Sequence, residues 1–172
     1  LTLAAILAPE HGFRGTVEAG AEVGDGVDDR TKVPVFSLYG ANKKPTPAML
    51  RSLDALVFDI QDIGTRFYTY ISTMGLAMQA AAAARIPFVV LDRPNPLGGD
   101  YVSGFVLEPA LASFVGQYPI PLVHGLTVGE LARAIKGERW LDGLDGLDLT
   151  VVEMRGWRRS MPGCPMPTPR AR

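Results

Sequence analysis

The chain has 172 residues, 47% of them hydrophobic and 20% charged, the balance of one globular domain with room for a real core. Seventeen Lys and Arg stand against eighteen Asp and Glu, a formal net charge of −1, which gives no broad electrostatic hold on nucleic acid or an anionic membrane. The single cysteine, Cys164, excludes an internal disulfide and a cysteine-based zinc cluster, and no apolar run approaches the length of a membrane span.

In chain order, residues 1–8 form a short, almost wholly apolar run ending at Pro9, which suits a buried parallel strand. The chain opens on Leu1 with a strand already under way, so an upstream strand–helix unit is expected to be missing, and no signal peptide is visible. Residues 10–40 are rich in Gly, Asp and Glu without helical period; loops of that length are often functional. Thr46 and Pro47 read as an N-cap and first helical residue of a short helix carrying Met49, Leu50 and Leu53. Residues 54–60 (DALVFDI) are the next buried strand, and 61–64 a turn.

Thr65 is expected to cap a long helix reaching about Arg85. Phe67, Tyr70, Ile71, Met74, Met78 and Ala81 recur at near-helical spacing, followed by alanines at 80–84. The aromatic pair Phe67 and Tyr70 reads most simply as core, while Tyr68 falls off that stripe, in the first turn. Residues 86–91 (IPFVVL) form a third strand, stopped by Pro94 and Pro96. A Gly- and Pro-rich stretch follows to Gly125. Thr127 and Glu130 make a capping box opening a helix to about Lys136, and residues 147–154 (LDLTVVEM) are a last strand. This alternation predicts an α/β, Rossmann-like fold, a mainly parallel sheet flanked by helices with right-handed crossovers. The domain is drawn over residues 1–157. Residues 158–172, Pro-rich and without apolar period, read as a disordered tail or a truncation remnant.

Ligands collect outside the carboxyl ends of strands in open α/β sheets. Three predicted strands end in polar clusters: Glu10, His11 and Arg14; Gln61, Asp62 and Arg66; Asp92, Arg93 and Asn95. Each has a bland reading. An acid after a strand commonly caps a helix or forms a turn. Asp92 could simply fix the turn before Pro94, and Asp59, inside its strand, suits a buried structural hydrogen bond. Asp62, in the turn, is freer to face a ligand. His11 and His124 are the only histidines, each followed by glycine; their spacing matches no metal motif. The chain carries no G-x-G-x-x-G, no P-loop and no G-x-S-x-G, which weighs against nucleotide cofactors and an α/β-hydrolase.

Five stretches in register, APEHGFRG (8–15), SLYG (37–40), LVFDIQDIGTRFYTYISTM (56–74), VLDRPNPLGG (90–99) and PIPLVHGLTVGELA (119–132), resemble the NamZ/YbbC-type family of exo-β-N-acetylmuramidases. The likeness covers about residues 4–157. It implies a Rossmann-like N-terminal domain followed by a smaller C-terminal domain, here missing. It also implies hydrolysis of terminal non-reducing N-acetylmuramic acid from peptidoglycan fragments in cell-wall turnover, and a secreted or periplasmic location. After Trp157 the text departs from the family, as a fragment or a shifted reading frame would.

Under that resemblance the expected partners are peptidoglycan saccharides or muropeptides, with no cofactor and no metal. Glu10 is the expected acid or base, its pKa raised by partial burial. His11, beside it, is expected among the catalytic residues. Asp62, Asp92 or the substrate's own N-acetyl group is the second reacting group. Arg66 or Arg93 would clamp the lactyl carboxylate, Arg66 helped by the start of the long helix. Arg14, Gln61, Tyr68, Asn95 and His124 are expected to line the substrate. The alternatives are a non-catalytic muropeptide-binding module, which would need no reacting acid, and a Rossmann-type oxidoreductase, disfavoured by the absent glycine fingerprint.

Overall fold

A computed structural model describes residues 2–13 and 24–161. In chain order these form β1 (Ile6–Ala8), β2 (Gly26–Val27), β3 (Pro34–Ser37), α1 (Pro47–Leu50), β4 (Leu56–Phe58), α2 (Tyr70–Ala84), β5 (Phe88–Leu91), α3 (Val128–Gly137) and β6 (Leu149–Val152), with one 3-10 turn at Pro109–Leu111. No helix among the described residues is long and apolar enough to cross a membrane.

The α/β reading holds. β4, β5 and β6 form a parallel sheet with β5 central, and α2 and α3 pack on each other and on β5. The face under the helices carries Leu56, Phe58, Phe88 and Val90, all buried, against Ile71, Met74 and Met78 of α2 and Leu131 and Ile135 of α3. Val57 and Val152 point the other way and are exposed. Tyr118 completes the core: its phenol donates to the Ile71 carbonyl at 3.1 Å and its ring stacks on Trp140. Burial pushes this phenol well above the usual tyrosine range.

Three expectations need correction. The four predicted strands all form, but not in one sheet. β1 runs parallel to β3, which also pairs antiparallel with β2. The segment 10–40 is therefore not simply a loop. Its β2–β3 hairpin is closed by the Asp28 carboxylate, which accepts from the Thr31 amide and hydroxyl at 2.9 and 2.7 Å. Strands of two and four residues, one opening on Pro34, are too short to show a period.

The long helix starts at Tyr70, not Thr65. Residues 64–66 instead pair with 122–124: the Arg66 amide donates to the Leu122 carbonyl and the His124 amide to the Gly64 carbonyl, with an antiparallel bridge between Thr65 and Val123. This pairing outweighs helix propensity. Gly64, at φ +82, is required there, because a Cβ would lie 2.2 Å from Asn95 Oδ1. Phe67, expected in the core, is half exposed in consequence.

The caps of α1 and α3 behave as read. Thr46 accepts from the Met49 amide with Pro47 behind it, and Thr127 and Glu130 form the reciprocal box at α3.

Candidate active site

The first polar cluster is built where β1 ends. Pro9 stops the strand, and the Gly12 amide returns to the Pro9 carbonyl at 3.0 Å. The resulting turn holds Glu10 with His11 and Gly12 both left-handed, at φ 68 and 70. A non-glycine residue in that region is uncommon, and histidine is among the residues that tolerate it. Ala8 and Ser37 are register partners across β1 and β3. The Leu38 amide then bonds to the Ala8 carbonyl, so the parallel path brings Tyr39 beside Glu10. A Ser37 turn fixes Tyr39: Ser37 Oγ donates to the Tyr39 carbonyl and accepts from its amide.

Three hydroxyl side chains gather around Glu10. Thr69 Oγ1 donates to its carboxylate at 2.7 Å, the Tyr70 phenol donates to its backbone carbonyl at 3.1 Å, and the Tyr39 phenol lies near enough to feel its charge. Burial, then the neighbouring Glu10 carboxylate, push the Tyr39 phenol up. Burial also raises Tyr70 far above the usual range, helped by its neighbour Tyr68 and by the Glu10 charge. Tyr68 meets Tyr70 edge-on at 4.6 Å between ring centroids, and His11 lies edge-on to Tyr70 at 6.4 Å. Tyr39 also lines an open hollow of about 230 Å³ with Gly24, Asp25, Ser37, Gly40, Ala41 and Asn42.

The second cluster turns inward. Asp62, expected to face a ligand, is buried. Its Oδ2 accepts from the Gly64 amide at 2.8 Å and lies 3.3 Å from His124 Nε2, the two side chains being 5% and 1% exposed. His124 Nδ1 accepts from the Leu126 amide, which puts the neutral ring's proton on Nε2, towards Asp62. His124, expected on the substrate, thus belongs to the interior. Gln61 Nε2 donates to the Asp62 and Pro94 carbonyls. Buried Asn95 donates to the Leu126 carbonyl and accepts from the Leu97 amide. Both amides tie loops together.

Asp92 takes the bland role. Its Oδ1 accepts from the Gly129 and Arg93 amides and its Oδ2 from the Thr127 hydroxyl, so it holds the start of α3. Arg93 pairs with Asp59 at the surface; Asp59 is therefore not the buried hydrogen-bonding residue expected. Arg66 precedes α2 instead of sitting in its first turn, and its Nη1 donates to the Phe105 and Ile120 carbonyls. Tyr68 also precedes the helix. Arg14 lies outside the described residues. Arg159, assigned from sequence to the tail, donates to the Gly99 and Gly125 carbonyls and pairs with Glu130. Among the described residues no group of three or more His, Cys, Asp or Glu side chains could hold a metal ion.

Sequence reasoning did not single out Tyr39, Thr69 or Tyr70 as site residues. All three lie in stretches that carried the family resemblance, SLYG and TRFYTY, which was the available signal.

The sequence model described as exo-β-N-acetylmuramidase NamZ, N-terminal, matches residues 1–167. The peptidoglycan β-N-acetylmuramidase NamZ of Bacillus subtilis strain 168 is 58% identical over 161 residues, which is 94% of this chain and 38% of that protein. Crystal structures of two DUF1343 family proteins from Bacteroides fragilis NCTC 9343 superpose with TM-scores of 0.84 and 0.78, at 51% and 42% identity. They cover 93% and 92% of this chain and 39% and 41% of theirs. The chain thus spans about two fifths of the length of these relatives.

Proposed function

Since this chain belongs to the family of exo-β-N-acetylmuramidase NamZ N-terminal domains, we propose that it supplies the reacting carboxyl for releasing terminal N-acetylmuramic acid from peptidoglycan fragments. The observation that carries the reading is the setting of Glu10. Asp62 is buried against His124 and Asp92 binds the start of α3. Glu10 is half-buried at a strand end, among hydroxyl groups.

Glycoside hydrolysis needs a group that exchanges a proton with the leaving oxygen or the incoming water, and a second that acts at the anomeric carbon. Glu10 takes the first role. The engagement of Asp62 and Asp92 with backbone groups favours the substrate's own N-acetyl oxygen for the second. His11, turned out of the regular backbone beside Glu10, belongs to the same rim. The same reading assigns the protein to cell-wall turnover, secreted or periplasmic, where its polymer lies.

The test is a chromogenic β-N-acetylmuramic acid glycoside beside its N-acetylglucosamine equivalent, with wild type and Glu10→Gln. Wild type is expected to release the chromophore from the muramic acid compound only. Glu10→Gln is expected to lose release by at least about 100-fold with an unchanged Tm. Binding of muropeptides without any hydrolysis would replace this reading with the glycan-binding module.

A further inference from the structure

We propose that Thr69 is a positioning residue for the Glu10 carboxyl, an inference that rests on Glu10 being the reacting group. Thr69 lies where α2 begins, its backbone already helical at φ −68 and ψ −8, a conformation in which a threonine does not cap its own helix. Its hydroxyl donates instead to Glu10 Oε2 at 2.7 Å, a contact across 59 residues of chain.

The contact joins the start of α2 to the turn that ends β1. The Tyr70 phenol pins the Glu10 backbone carbonyl, buttressed by Tyr68. The arrangement is that of a reacting group held by supporting hydrogen bonds, on which catalytic precision depends.

The experiment compares Thr69→Val and Thr69→Ser in this chain, and at the aligned position of the full-length Bacillus subtilis relative. Each variant is assayed on the chromogenic muramic acid glycoside and for Tm. Thr69→Val is expected to lower kcat roughly 10- to 100-fold, with KM within about twofold. Thr69→Ser, which keeps the hydroxyl, should restore near-normal turnover. In a Glu10→Gln background Thr69→Val should not lower activity further. Unchanged kcat, or a loss that follows Tm and that serine does not rescue, overturns the proposal. A crystal structure of Thr69→Val gives a readout independent of turnover. The Glu10 carboxyl is expected to leave its position while the turn closed by Pro9 and Gly12 stays. An unmoved carboxyl overturns the positioning role even where the glycoside proves not to be the substrate.

Discussion

Asp62 and His124 are two ionisable side chains closed off from water and in contact at 3.3 Å, without a linear hydrogen bond between them. What they hold is backbone: Asp62 binds the Gly64 amide and His124 the Leu126 amide, on the two segments that pair beside Thr65. Asp62→Ala is therefore expected to leave the buried Gly64 amide without its acceptor and to cost about 1–3 kcal/mol, read from urea denaturation. A loss of turnover with undiminished stability would instead point to a chemical role for Asp62. At this scale the sequence was legible where chain direction alone decided the outcome. Glu10 sits at a strand end, as its place after an apolar run and Pro9 implied. It was not legible where a side chain's partner comes from far away. Nothing local in Arg66-Phe67-Tyr68 shows that Arg66 will reach the Phe105 and Ile120 carbonyls, and nothing near Asn95 announces Leu126.

Among the elements, α3 shows how a strand end and a helix start fix one another. Asp92, just after β5, binds the Gly129 amide at 2.8 Å and the Thr127 hydroxyl at 3.0 Å, adding charge at the favourable end of the helix. Gly129 is needed for this approach, because a Cβ would lie 2.9 Å from Asp92 Oδ1 and 2.5 Å from Val151. Asp92→Ala is expected to cost about 1–2 kcal/mol, seen as a lower Tm, while the kcat of the folded fraction holds. A selective loss of kcat at unchanged Tm would return Asp92 to the site. α3 and α1 could be read in advance because their caps are local, within three residues. The start of α2 could not, since pairing of residues 64–66 with 122–124 decides it. The β2–β3 hairpin escaped notice for its brevity, and β1 was expected in the main sheet because its apolar run carries no record of which strand it will meet.

Over the whole molecule, the four strands of the reading and the parallel order of three of them were foreseeable from alternation of apolar runs and helical segments. The split into two sheets was not. Apolar surface remains open on the described domain: Phe105 is 92% exposed, and Val102, Val106, Leu111 and Val115 are exposed around it in sequence. The chain spans about two fifths of the length of its relatives, and within it Thr69, Tyr70 and Tyr39 gather around Glu10 on the rim shared by β1, β3 and the start of α2. The most direct measurement is a crystal structure of Glu10→Gln bound to a disaccharide with non-reducing N-acetylmuramic acid. The account predicts the residue 10 side chain within about 2.6–3.2 Å of the glycosidic oxygen or of a water facing the anomeric carbon, with Thr69 and Tyr39 still beside it. A sugar seated elsewhere on the domain, with residue 10 out of hydrogen-bond reach of the scissile bond, would contradict it.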